Sequence, residues 1–284
     1  MEENGEIRPW DEMIPEALEL IFNELSLQEK LNVIPIVCKP WGKVVAERVW
    51  KDIDIIEWGK FRNHDDRDRM LQMLINRSTS SLRKLCAYEI SGNLMFSFIA
   101  DQLIQRVYLH FIFTSAGNLE TLWLPRGQMT TSIVEQVAWK LSTVTNMDLS
   151  YCEILAPALE AIGRNCKSLK ELHRVMYPPS YGIYGNSEEE TRVIATTMTK
   201  LRHLELSYMF LSSECAHEIL SSCLELEFFD VRGCYEADFD EGLLKEKYSK
   251  ISILRTPPRI IYQQVASTSQ PRFYEDIDWE FSSR

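Results

Sequence analysis

One spacing constrains this chain more than any other property. Segments of the form apolar-x-x-apolar-x-apolar begin at Leu82, Leu119, Val144, Leu169, Leu201, Leu226 and Ile251, so successive steps are 37, 25, 25, 32, 25 and 25 residues. Their apolar positions are Leu82, Leu85 and Ala87; Leu119, Leu122 and Leu124; Val144, Met147 and Leu149; Leu169 and Leu172; Leu201, Leu204 and Leu206; Leu226, Phe229 and Val231; and, more weakly, Ile251 and Leu254. Amphipathicity alone does not produce four steps of the same length. A fixed period of this size marks a repeat architecture, which has to be identified before any single element is placed.

The chemistry of each unit explains the period. The apolar-x-apolar core makes a short strand whose alternate side chains face inward. Between strands lie helical stripes: Ile133, Val137 and Leu141; Leu155, Leu159, Ile162 and Cys166; Ala216, Ile219, Leu220 and Cys223. These spacings give one apolar face per helix. A strand plus a helix in 25 residues is the design of the leucine-rich repeat, whose period is roughly 20–29 residues. Cysteines at the turn after a strand (Cys152, Cys234) and just before the next strand (Cys166, Cys223) resemble the cysteine-containing subclass common in ubiquitin-ligase receptors. The expected fold class is α/β, with a leucine-rich-repeat solenoid over residues 82–256. Such an array buries its core by stacking neighbours and leaves a concave strand face as a binding surface.

The irregular steps carry information too. The 32-residue step coincides with Pro178, Pro179, Gly182 and the acidic run Glu188 to Glu190, which predicts a surface loop inserted near 178–187. Arg174 occupies an inward position in the same repeat and is expected to weaken that strand. The 37-residue step is 12 residues too long, and removing Leu103 to Thr114 restores the period; a genuine extra strand from Arg106 to Leu109 is the competing reading. Residues 58–81 read as a linker or first cap helix, and residues 257–284 as an acidic tail.

Charge and motifs exclude several function classes. With 31 Lys and Arg against 42 Asp and Glu, the formal charge is −11, which disfavours nucleic acid or an anionic membrane as main partner. The acidic first residues lack an apolar stretch, so no signal or transit peptide is expected, and the longest apolar run, Leu94 to Ala100, is too short to span a bilayer. Seven cysteines without any C-x-x-C read as small buried hydrophobes in a reduced protein, not as disulfides or zinc ligands. No phosphate-cradling glycine loop, nucleophile elbow or H-E-x-x-H is present. The five histidines are scattered, with no i, i+4 pair. Neither an enzyme active site, nor a metal, nor a cofactor is expected.

Residues 1–57 do not fit the repeat and read as a separate three-helix module. Ile14, Pro15 and Glu16 open a stripe of Leu18, Ile21, Phe22 and Leu25, with the proline in a tolerated first turn. Ser26 to Glu29 form a capping box ahead of a second helix with Leu31 and Ile34, expected to stop at Pro35. A third helix should carry Ile36, Val37, Cys38, Trp41, Val44, Val45 and Trp50, with Pro40 in its interior and a bend there.

At these residues a family resemblance emerges. Ile14-Pro15-Glu16-x-Leu18, Ile21-Phe22-x-x-Leu25 and Val37-Cys38-Lys39-x-Trp41 resemble the blocks of an F-box. Together with the Arg8-Pro9-Trp10-Asp11-Glu12 lead-in and the stretch from Arg69 to Leu85, the chain is similar to a plant F-box/leucine-rich-repeat family historically labelled "F-box with WD repeats" (FBW-type), a label the repeats themselves would not justify. The resemblance implies the substrate receptor of an SCF-type (SKP–cullin–F-box) ubiquitin ligase, acting in nucleus or cytoplasm. It further implies that Ile14, Pro15, Leu18, Ile21, Phe22, Leu25, Leu31, Val37, Cys38 and Trp41 contact the SKP adaptor, and through it cullin. The expected client face consists of the strand positions between the inward residues: Trp123, Asp148, His173, His203, Glu205, Phe228 and Asp230. Trp123 and Phe228 are expected to be exposed there, and an excess of carboxylates implies a client with a basic or mixed patch. The competing reading is an interaction scaffold whose N-terminal helices merely cap the solenoid.

Overall fold

Eight three-residue strands, one per repeat, pair side by side in chain order as a single sheet, and every pairing is parallel. They are β1 (Asp52–Asp54), β2 (Lys84–Cys86), β3 (Thr121–Trp123), β4 (Asn146–Asp148), β5 (Glu171–His173), β6 (His203–Glu205), β7 (Phe228–Asp230) and β8 (Ile253–Arg255). This computed structural model describes residues 10–78, 82–110, 119–177, 187–234, 248, 251 and 253–255. The insertion near 178–187 falls outside the described residues but for Ser187, and the acidic tail 257–284 lies wholly outside them.

The middle residue of each strand from β1 to β7 points inward. Ile53, Leu85, Leu122, Met147, Leu172, Leu204 and Phe229 are all buried. Against that face pack α6 (His64–Arg77), α7 (Asn93–His110), α8 (Thr131–Val137), α9 (Ala156–Asn165), α10 (Ser187–Thr197) and α11 (Ser213–Ser222), which supply Leu71, Leu74, Ile99, Val134, Leu159, Ile162, Ile194 and Ile219 to one continuous core. Alternation along the strand leaves first and third residues on the opposite, open face.

Recurring devices turn the chain between strands and helices. The residue two places after the third apolar position is left-handed in five repeats: Glu89, Arg126, Tyr151, Tyr208 and Gly233 have φ between 51° and 71°. Gly233 is the one of these that needs glycine, because a Cβ there would lie 2.3 Å from the Tyr208 ring. The cysteines close the turns: Cys152 donates to the Leu124 carbonyl at 3.3 Å and Cys234 to that of Leu206 at 2.7 Å. Cys166 and Cys223 reach back to Leu141 and Met198 at 3.1 and 3.6 Å. Thiols small enough to be buried and able to donate thus satisfy carbonyls of the preceding repeat.

Several expectations are corrected. The strand ladder begins at β1, 32 residues before the first repeat strand read from the sequence. Residues 106–109 form no strand but fall within α7, and residues 111–114 lie outside the described residues. Leu155 is the exposed N-cap position of α9, not part of its buried stripe. Arg174 does not weaken its repeat; it is 1% exposed and fully bonded. Its guanidinium donates to Leu149, Cys152 and Ile154 carbonyls at 3.1, 2.7 and 2.8 Å and forks onto Glu190 of α10 at 3.1 and 3.3 Å.

Ahead of β1 run α1 (Pro15–Asn23), α2 (Leu27–Asn32), α3 (Ile34–Val37) and α4 (Lys39–Arg48), and the short α5 (Ile56–Gly59) follows it. The Ser26–Glu29 capping box forms in both directions. Pro35 does not end a helix but lies in the first turn of α3. Pro40 likewise lies in the first turn of α4, where a missing N–H costs nothing; the chain breaks instead at extended Cys38 (φ −157°, ψ 162°). Leu18, Phe22, Ile34, Val44, Val45, Val49 and Trp50 join the solenoid core, so these helices share one hydrophobic core with the repeats.

Candidate functional site

Parallel pairing without a slip aligns the open-face residues into two columns. One runs Asp54, Cys86, Trp123, Asp148, His173, Glu205, Asp230; the other runs Asp52, Lys84, Thr121, Asn146, Glu171, His203, Phe228. The seven extra residues of the 32-residue step leave the strands in register, so His173 of β5 lies directly beside Glu205 of β6. His203, two residues before Glu205, points to the same side.

A connected cluster results. Glu205 receives His173 Nδ1 on Oε2 at 3.0 Å and His203 Nε2 on Oε1 at 2.9 Å. The two imidazole centroids are 5.0 Å apart. His203 stacks on Phe228 at 4.1 Å, and Trp123 meets His173 edge-on at 5.9 Å, with the Lys84 ammonium 5.1 Å from the Trp123 ring. Burial works against the charge on Glu205, but hydrogen bonds from His173 and His203 outweigh it and hold the carboxyl well below the usual range. Burial also opposes the charge on His173, and Glu205 reverses the balance so that its basicity is raised.

The remaining residues of the expected client face are placed differently. Phe228 is only 8% exposed, and Asp148 and Asp230 are buried. Asp230 is ion-paired with Arg232 at 2.7 Å, a partner the column reading left aside. Asp148 accepts the Ser150 N–H at 2.8 Å; burial pushes its carboxyl upward against the pull of His173 and Ser150. Trp123 is half-buried, and its indole N–H is enclosed with no acceptor among the described residues. The open face is therefore a polar–aromatic network in which Glu205 and Asp230 are ion-paired, rather than a row of free carboxylates. The search of the sequence for i, i+4 histidine pairs missed the His–Glu–His grouping, because it assembles across strands. The common column position of His173 and Glu205 was the available signal.

The N-terminal helices carry a second surface. Of the residues expected to face an adaptor, Leu18 and Phe22 are 1% exposed and belong to the inner core. Trp41 packs edge-on against Phe22 at 5.1 Å and donates its indole N–H to the Trp10 carbonyl at 3.0 Å. Leu25, Leu31 and Cys38 are half-buried, whereas Ile14, Pro15, Ile21 and Val37 are exposed. Leu20, Val33 and Ile36 are exposed too and were not anticipated. Amphipathic periodicity marked which helix residues are apolar, not which of the two apolar faces turns inward.

No family model matches the chain. It is 43% identical over 284 residues to F-box protein FBW2 of Arabidopsis thaliana, an alignment covering 99% of this chain and 82% of that protein. F-box protein SKIP19 of the same plant is 27% identical, over 97% of this chain and 87% of its own. Putative F-box/LRR-repeat protein 23, also from Arabidopsis thaliana, is 27% identical over 88% of this chain and 54% of its own length.

Proposed function

The chain belongs to the F-box protein family, and from that premise we propose that it is the substrate-recognition subunit of an SCF-type ubiquitin ligase. In this reading α1 to α4 are the F-box and dock on the SKP adaptor, which joins them to cullin. The repeats hold a client protein through the open strand face, in nucleus or cytoplasm. The chain performs no chemistry of its own; it contributes proximity and orientation to a reaction catalysed elsewhere in the complex.

The observation that carries this reading is the apolar surface left open by the N-terminal helices. Ile14, Leu20, Ile21, Val33, Ile36 and Val37 are all exposed, Ile36 by 81%, although the same helices bury Leu18, Phe22 and Ile34 on their other side. A mere cap for the solenoid needs one apolar face; helices with two invite a partner. Ile14, Pro15, Ile21 and Val37 are the proposed direct contacts. Leu18 and Phe22 shape the surface from beneath, and Leu25, Leu31, Cys38 and Trp41 lie at its margin.

The test is co-purification with an SKP-type adaptor. Ile36→Asp combined with Val37→Asp changes two exposed side chains, so the fold and its melting temperature should be unaffected. Loss of interface anchors worth about 2 kcal/mol or more lowers affinity at least ~30-fold, which should remove adaptor from the pull-down. Undiminished adaptor binding by that variant would rule the assignment out.

A further inference from the structure

We propose that His173, His203 and Glu205 form a binding site for a zinc-class divalent metal ion, with three protein ligands and one coordination position left open. This goes beyond the ligase reading and holds whether or not the open face captures a client.

The geometry supplies the argument. One donor atom from each of the three residues lies within 4.8 Å of the other two. The His173 Nδ1 and His203 Nε2 separations from the Glu205 oxygens, 3.0 and 2.9 Å, are close to the roughly 3.3 Å between neighbouring ligands of a tetrahedral ion with bonds near 2.0–2.1 Å. Neighbouring strands fix two of the three, and His203 is held by its stack on Phe228, so the donors are preorganised. The three side chains retain 16–18% exposure, enough for an ion to enter from the open face.

The donor set selects the class of ion. Two imidazoles and one carboxylate suit zinc and its borderline neighbours; calcium and magnesium prefer all-oxygen shells. Three protein ligands with a vacant fourth position are the pattern of ions that exchange water for another ligand, not of closed structural sites. Binding requires each imidazole to present a lone pair where it now faces Glu205, which a neutral ring does by moving its proton to the other nitrogen. The enclosed Trp123 N–H, without an acceptor among the described residues, offers a donor near His173 for an oxygen ligand completing the shell. Among the described side chains, Arg232 is held by Asp230 and Lys84 by Asp54 at 3.4 Å.

The experiment titrates the chelator-treated full-length chain with Co²⁺ while recording the visible spectrum, then displaces cobalt with Zn²⁺. One equivalent should bind, giving a ligand-field band without thiolate charge transfer. His203→Gln and Glu205→Gln, checked for folding by circular dichroism, should each weaken binding at least tenfold. His217→Gln, which alters a histidine paired with Tyr248 on another face, should leave it unchanged. Failure of the folded wild-type chain to bind one equivalent, a thiolate charge-transfer band, or wild-type affinity in either folded site variant would each overturn the proposal.

Discussion

Replacing Arg174 by leucine separates two accounts of this fold. By the repeat pattern, position 174 should be apolar like Leu124, Leu149, Leu206 and Val231, and Arg174→Leu would restore the consensus and stabilise the chain. The structure argues the opposite. All five guanidinium N–H groups are used, two on Glu190 and three on carbonyls of the turn after β4. Leucine would strand the Glu190 carboxylate, itself buried, and breaking a buried ion pair from one side costs about 3–5 kcal/mol. For a domain of this size each kcal/mol lowers Tm by about 2–4 °C, so a fall of roughly 6–20 °C is expected. Replacing both partners by apolar residues often rescues a buried pair. Here Arg174→Leu with Glu190→Leu should remain destabilised, because turn carbonyls that the arginine serves lose their donor at ~1–3 kcal/mol each. Thermal melts and urea titrations followed by circular dichroism measure both variants. A single variant as stable as wild type, or a double variant fully restored, would refute the reasoning.

Two further outcomes follow from ionisation. Burial tends to raise the Glu19 carboxyl, but Lys51 at 2.6 Å and Arg48 at 3.4 Å outweigh it and lower its pKa. A depressed folded pKa adds stability above the unfolded value near 4.3 and forfeits it as pH falls through the folded value. Glu19→Gln should therefore lower stability at pH 7 and cost progressively less below pH ~4; a stability deficit that persists unchanged at pH 2 contradicts the ion pair. Separately, burial pushes the thiols of Cys152, Cys166, Cys223 and Cys234 up to about 12, leaving about one thiolate in ten thousand at pH 8. Of seven free cysteines only Cys38 is not buried, so intact-mass analysis of briefly alkylated native protein should find one adduct, and seven after denaturation. Rapid addition of three or more to the native chain would show that the turn cysteines are not held as described.

Much of the fold was legible because a period is a global signal. The strands β2 to β7 lie where the apolar-x-x-apolar-x-apolar segments fall, and the columns on the open face follow from alternation and constant register alone. The first strand was missed although Trp50, Ile53 and Ile55 match the same spacing, 32 residues before Leu82. Their neighbours resemble an F-box, and that resemblance masked the repeat. Pro40 was misplaced because a proline is harmless or disruptive according to where a helix starts, and extended Cys38 sets that start without leaving a mark in the periodicity. What each open-face side chain does was not readable at all. Phe228 was expected to be exposed, yet the stack on His203 covers it, and cross-strand neighbours of this kind are fixed by rotamers, not by spacing.

The repeat that departs most from the pattern is also the one that carries the candidate metal ligand His173, and the two facts are connected. In five repeats an apolar residue and a left-handed turn end the strand; in the β5 repeat Arg174 stands in the apolar position, and the equivalent Met176 is not among the left-handed residues. Arg174 replaces that missing closure by tying its own strand to the turn after β4 and to α10 at once. Asp148 ends β4 and His173 ends β5, each within a residue of an atom in this network: Leu149 O accepts from Arg174, and Leu149 N donates to His173 O at 3.0 Å. The buried arginine side chain thus clamps the two backbones that present Asp148 and His173, while the Arg174 N–H donates to Glu205 O at 2.8 Å in the backbone bond that the neighbouring repeats also make. A local rule is broken where the candidate ligands converge, and the cost is offset by the bonds that the arginine side chain makes to its neighbours. Arg174→Lys makes this connection testable: one ammonium cannot serve three carbonyls and a carboxylate, so cobalt affinity should fall together with Tm even though no metal ligand is touched. Loss of stability with unchanged cobalt affinity would show that the clamp and the site are independent.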